Sequence, residues 1–196
     1  MPTIRIDIKG IQIALGPIAD DNIGGSRHER EQEAVASLVP EIYGKGASKH
    51  NKDNGEPYIS NGNTVLEPCS ISHCHSHAIV AKAPHGCRIG VDIEVFRPQL
   101  QRVASRFLNT DEQRLYASDK DMLLAAWTIK EAVYKAAGLT PLPLTDIHLP
   151  SGIGSDTKNA CCRIPGGIQF KILYCGYILP NEGVFMTLVE QDAPQP

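Results

Sequence analysis

Gly90-Val91-Asp92-Ile93-Glu94 and, further along, Trp127-Thr128-Ile129-Lys130-Glu131-Ala132-Val133-Tyr134-Lys135 decide how this chain is read. In the first stretch apolar residues flank and separate two carboxylates. A β-strand has a side-chain period of two, so Asp92 and Glu94 share one face while Val91 and Ile93 face a core. The second stretch lies in an Ala- and Leu-rich run from Asp121 to Ala137 that predicts a helix. Glu131 and Lys135, four apart, then project from one side of it. Two strand acids and one helix acid make an all-oxygen donor set, which suits a hard divalent cation such as Mg²⁺. Lys135 suits a phosphate that such a cation would carry.

The rest of the composition narrows the function. The 196 residues are enough for one domain or two small ones. Hydrophobic content of 42% and charged content of 21% are those of an ordinary globular protein, so disorder is not indicated. A formal net charge of −3 with no block of positive residues argues against nucleic acid as a partner. An anionic small molecule would need a local basic patch. No apolar run approaches the roughly 20 residues that span a bilayer, so no membrane partner is expected. Met1 to Gly16 alternates Ile4, Ile6 and Ile8 with Arg5, Asp7 and Lys9, the pattern of a strand and not of a signal peptide. A cytoplasmic location is therefore expected. The six cysteines lack CxxC spacing and read as reduced thiols, with Cys161-Cys162 as strand packing.

Along the chain, Ser26 is the expected N-cap of a helix from Arg27 to Val39, with Ala34, Val35, Leu38 and Val39 as its buried stripe. Arg27, His28 and Arg30 near its start either meet a phosphate or are solvated. Gly44 to Gly55 is a loop, and Asn61-Gly62-Asn63 joins short extended pieces at 57–60 and 64–66 as a hairpin. His73, His75 and His77 occupy alternate positions of an expected strand, without the complementary pair that would complete a tetrahedral zinc site. After Arg97-Pro98, a break between halves, a helix is expected from Leu100 to Phe107. Asn109 or Thr110 then caps a further helix, in which Glu112 serves either first-turn stabilisation or catalysis. Gly138 and Pro141-Leu142-Pro143 stop the long helix. Strands are expected at 146–149, 167–173, 177–179 and 184–189, with a frayed tail at 191–196. The fold class predicted is α+β, in two halves at residues 1–96 and 97–196, each a largely antiparallel sheet with packed helices.

Ile71-Ser72-His73, then Gly90 to Glu94, then Trp127 to Lys135 resembles, in order and separation, the signature of the 4′-phosphopantetheinyl transferase superfamily. The chain length and two-half layout are more similar to the monomeric surfactin-synthetase-activating type than to the shorter trimeric holo-acyl-carrier-protein synthase type. The resemblance implies two pseudo-symmetric halves with coenzyme A in the cleft between them. It implies the activity of a holo-acyl-carrier-protein synthase: transfer of the phosphopantetheine arm of coenzyme A to a serine of an apo acyl or peptidyl carrier protein, releasing adenosine 3′,5′-bisphosphate. The serine oxygen attacks a phosphorus whose charge repels it, so a metal and a cation must neutralise that charge. By the same resemblance Asp92, Glu94 and Glu131 hold Mg²⁺, with Lys135 on the transferring phosphate. Glu112, in Arg106-Phe107-Leu108-Asn109-Thr110-Asp111-Glu112, matches the acid proposed to deprotonate the serine. Ser72 and His73 match the family's Ser-His pair at coenzyme A, and Lys130 is a further candidate contact.

Two positions depart from the family pattern. Gly55-Glu56-Pro57 carries an acid where a lysine is usual, and Gly138 is followed by Leu139 where the family often has lysine. These departures motivate an alternative, a non-catalytic module that binds coenzyme A or a carrier protein. Carrier proteins are commonly acidic, and Arg97, Arg102, Arg106 and Arg114 are the cations available to meet one.

Overall fold

The computed structural model, which describes residues 3–20 and 24–191, breaks the expected opening strand at Lys9-Gly10. Both residues have positive φ, 54° and 83°, the conformation of a two-residue hairpin turn. The turn joins β1 (Ile4–Ile8) to β2 (Ile11–Pro17), paired from Ile4↔Leu15 to Ile8↔Ile11. The chain divides into two compact units, Met1–Cys87 and Arg88–Pro196. That division lies ahead of the expected one after residue 96, because the strand at 89–95 is hydrogen-bonded into the second unit.

In the first unit α1 (Arg27–Tyr43) begins with the predicted Ser26 cap. Its side chain accepts from the Glu29 amide while the Glu29 carboxylate accepts from the Ser26 amide, a reciprocal capping box. The helix runs past Val39 through Pro40 and ends at Gly44, whose amide bonds to the Pro40 carbonyl. Its predicted stripe packs on Ala14, Ile59, Ala78 and Val80. Then come β3 (Ala47–Asn51), β4 (Pro57–Asn61), β5 (Thr64–Val65), β6 (Cys69–His73) and β7 (His77–Lys82). The Asn-Gly turn joins β4 to β5 as predicted, with Asn61 opposite Thr64. The main sheet is antiparallel in the order β1-β2-β7-β6, and β3-β4-β5 form a smaller one.

The second unit is built on β8 (Ile89–Val95), followed by α2 (Gln99–Arg102), a 3₁₀ turn at Ala104–Arg106, α3 (Thr110–Tyr116) and α4 (Lys120–Ala137). The helix expected over 100–107 is therefore interrupted. At Val103 φ is −105° and ψ is 7°, outside the helical well. α4 starts one residue before its predicted span, with Asp119 accepting from the Asp121 and Met122 amides, and stops at left-handed Gly138. Three strands complete the unit: β9 (Cys161–Arg163), β10 (Gln169–Leu179) and β11 (Val184–Gln191), in the antiparallel order β8-β11-β10-β9. Two of the four strands expected here merge: β10 continues through Cys175-Gly176 and absorbs the irregularity as shifts in register against β11. Residues 144–146 are a 3₁₀ turn, and the expected strand at 146–149 reduces to one bridge, His148 with Arg163. The tail expected to fray lies outside the described residues from 192 on.

Gly90 sets the distance between β8 and α4. A Cβ placed there would lie 1.8 Å from the Ala132 carbonyl oxygen, so any other residue would force strand and helix apart. α4 is buried on almost every side, with Leu123, Leu124, Ala125, Ala126, Ile129, Ala132 and Val133 in the core of the unit. The result is an α+β chain in which each unit packs one long helix on a four-stranded antiparallel sheet.

Candidate functional site

Close packing at Gly90 brings the two decisive stretches together. Val91 and Ile93 are buried beneath β8, and Asp92 is also 6% exposed. From one helical turn beyond Glu131, Lys135 reaches across to β8, where its Nζ donates to Asp92 Oδ1 at 2.7 Å and to the Val91 carbonyl at 3.1 Å. Glu94 is partly buried. Its Oε1 accepts from the Val95 amide at 3.0 Å, and its Oε2 accepts from Arg97 Nη2 at 2.6 Å. Burial, together with the charges of Asp92 and Glu94, raises the pKa of Glu131 above the usual carboxylate value, against a smaller opposing pull from Lys135. Asp92, Glu94, Glu131 and Lys135 therefore form one electrostatically coupled group.

As they stand, these acids do not form the expected cage. Among the described residues no three His, Cys, Asp or Glu side chains are arranged to hold a metal ion; Asp92 and Glu94 each pair with a cation of the chain itself. The donor chemistry nevertheless fits a divalent cation: every donor is a carboxylate oxygen, and the mutual repulsion felt at Glu131 is what such a charge would relieve.

Glu112 takes the first-turn helix role, one of the two readings open for it, and is buried against Lys130. Glu112 is 5% exposed and Lys130 is fully inaccessible. Glu112 Oε2 accepts from Lys130 Nζ at 2.6 Å and from the Asn109 amide at 3.1 Å, while its Oε1 accepts from the Leu149 amide at 3.0 Å. Lys130 also donates to the carbonyls of Leu144 and Ile147, at 2.9 and 2.7 Å, so all three of its protons are placed. Burial draws the Lys130 ammonium below the usual lysine value, and Glu112 pulls the other way. A base must reach the proton it removes; Glu112 is instead a capping acid in a buried ion pair tying α3 to α4 and to the segment at 144–149. Lys130 likewise spends its donors inside this core. Its place one residue before Glu131 on the helix turns it about 100° from that residue.

In the first unit, the three histidines do not share a strand face. His73 ends β6, His77 begins β7, and Cys74-His75-Ser76 is the turn between them. Ser72 is buried, and His73 is exposed with its Nδ1 3.5 Å from Glu31 Oε1. Arg27 links helix and turn: its Nε donates to Glu31 at 2.7 Å, Nη2 donates to the Cys74 carbonyl at 3.2 Å, and Nη1 lies 2.7 Å from His75 Nδ1. Sequence reasoning left Arg27 open and weighed His75 only as a zinc ligand. Residues 48 apart leave no periodic signal in the sequence.

At the two departures, Glu56 pairs with Lys52 at 3.1 Å. Arg88 packs at the end of α4, where a Cβ on Gly138 would lie 2.5 Å from its guanidinium. The six cysteines are free thiols. No described helix is long and apolar enough to cross a membrane.

Comparison with known proteins bears on the second unit. No curated protein sequence matches the chain. A crystal structure of Thermotoga maritima holo-[acyl-carrier-protein] synthase is similar at a TM-score of 0.38 and 17% identity; the match covers 56% of this chain and 66% of that one, just under two thirds of its length. Residues 88–176, which run from β8 into β10 and include Asp92, Glu94, Glu131 and Lys135, match the family model of the 4′-phosphopantetheinyl transferase superfamily.

Proposed function

We propose that the protein transfers the 4′-phosphopantetheine group of coenzyme A to a serine hydroxyl of an apo acyl or peptidyl carrier protein, releasing adenosine 3′,5′-bisphosphate, and that the reaction depends on Mg²⁺. The observation that carries this reading is the meeting of β8 and α4, which places Lys135 on Asp92 and couples Glu131 to both Asp92 and Glu94. Asp92, Glu94 and Glu131 would hold the cation once Lys135 and Arg97 have yielded their carboxylates. A bound Mg²⁺ supplies charge neutralisation to the diphosphate of coenzyme A.

The remaining steps belong to the chain's own residues. Lys135, half-buried on a rigid helix, orients a transferring phosphate and offsets the charge that builds as the serine oxygen approaches. Glu131, one helical turn before Lys135, completes the carboxylate set on the same helix. Ser72 and His73 would contact coenzyme A. The exposed Arg102, Arg106 and Arg114, together with the exposed Leu115 of α3 and Met122 of α4, would offer an acidic carrier protein basic and apolar groups. The presence of both units in one chain favours a monomer of the surfactin-synthetase-activating type, working in the cytoplasm.

The test is mass spectrometry of a panel of apo carrier proteins incubated with the protein, coenzyme A and Mg²⁺. At least one should gain the phosphopantetheine mass. Glu131→Gln should abolish the gain while the protein stays folded. No gain on any carrier, including those of the source organism, would sink the assignment.

A further inference from the structure

Two chain cations sit on the acids of the candidate site, and they are held differently. Lys135 is anchored twice, by Asp92 and by the Val91 carbonyl, and only 27% of its side chain is exposed. Arg97 reaches Glu94 from just beyond the end of β8, and 64% of its side chain is exposed against 13% for Glu94. The carboxylate is further fixed by the Val95 amide on its other oxygen. If this pair parts, the guanidinium is the member that moves, since it lies at the end of a long solvated arm and the acid does not. An exposed pair of this kind contributes little in free energy, so a divalent charge coupled to Asp92 and Glu131 as well can displace it.

We infer that Arg97 is an exchangeable counter-ion: it occupies Glu94 while the site lacks a divalent cation and leaves that carboxylate when the cation binds. The inference rests on the reading of Asp92, Glu94 and Glu131 as metal ligands given above, and makes Arg97 a positioning residue of that site. Arg97 competes with the metal for one oxygen donor and thereby lowers metal affinity. It also leaves a guanidinium at the site's rim once the metal is in place, where an anion can be met.

Metal affinity, measured without coenzyme A or carrier protein, separates this from a purely structural role. Mn²⁺ binding to the full chain would be followed by the loss of the free-ion electron paramagnetic resonance signal, for wild type, Arg97→Gln and Lys158→Gln. Lys158 is an exposed cation on the loop before β9, so its variant removes the same charge without touching Glu94. Arg97→Gln should bind Mn²⁺ about two- to five-fold more tightly than wild type, the range an exposed ion pair spans, and the difference should shrink as salt rises. Lys158→Gln should match wild type. Equal affinities for wild type and Arg97→Gln, or the same gain in Lys158→Gln, would overturn the exchange while leaving the metal site intact. No Mn²⁺ binding by any of the three proteins would remove the metal reading itself, and the exchange with it.

Discussion

Glu112→Gln is the substitution that best separates a buried structural pair from a catalytic base. The wild-type carboxylate receives three donors, the Lys130 ammonium and the amides of Asn109 and Leu149, and it can accept all three because both oxygens are acceptors. A glutamine has one oxygen and an NH₂, so at least one of those donors must face another donor. Worse, Lys130, which is fully buried, loses its countercharge and keeps only two neutral carbonyls. Removing one partner of a buried ion pair costs about 3–5 kcal/mol. At about 2–4 °C per kcal/mol for a chain of this size, the melting temperature should fall by about 6–20 °C. Urea denaturation followed by circular dichroism would read the loss directly. Glu112→Gln combined with Lys130→Met should cost less than the sum of the two single changes, because the second removes the stranded charge created by the first. A Glu112→Gln protein that unfolds at the wild-type midpoint yet has lost transfer activity would refute the reasoning and restore Glu112 as a reacting group.

Other consequences follow from single contacts. Gly90→Ala should destabilise the protein by about 3 kcal/mol or more, because the new methyl would meet the backbone carbonyl of Ala132, which cannot rotate away; a melting temperature within a degree of wild type would deny the close packing of β8 on α4. Ser26→Ala should cost about 1 kcal/mol by removing the side-chain cap of α1, measured by the same denaturation. Hydrogen bonds from Ser26 hold the Glu29 pKa below its ordinary value of 4.5. Its contribution is therefore present above that value and lost as pH falls through the lower folded-state one. Glu29→Gln should flatten that acid slope, and an unchanged slope would deny the capping box. If Arg102, Arg106 and Arg114 meet an acidic carrier protein, its KM should rise with salt; a salt-independent KM would remove that surface.

Much of the site could be read from the sequence because its members lie in short periodic stretches. Asp92 and Glu94 share a face by the strand period, and Glu131 and Lys135 by the helix period. The caps Ser26 and Asn109 and the stop at Gly138 carried similar local signals. Glu112 was left between two readings, and the burial of Lys130 was not foreseen, for one shared reason. Each sits in a stretch resembling a reactive motif, but whether such a side chain faces solvent or a neighbouring element depends on how α3 packs on α4 and on the carbonyls at 144–149. No local pattern reports burial of a charged residue. His73, His75 and His77 were similarly assigned to one strand, because alternation cannot show that the chain reverses at Cys74-His75-Ser76. Lys9-Gly10 was missed although glycine marked the turn, since the isoleucine alternation continued on both sides of it.

By itself the sequence determined most of the elements and the faces shared by Asp92 with Glu94 and by Glu131 with Lys135, because φ/ψ preferences, caps and hydrophobic period act over a few residues at a time. Only the tertiary structure decided which charges are spent on holding the molecule together. It buried Lys130 against Glu112, set Lys135 on Asp92 and Arg97 on Glu94, and linked Arg27 to His75. A charge acquires its role from the dielectric and the partners around it, and those come from residues distant in the chain.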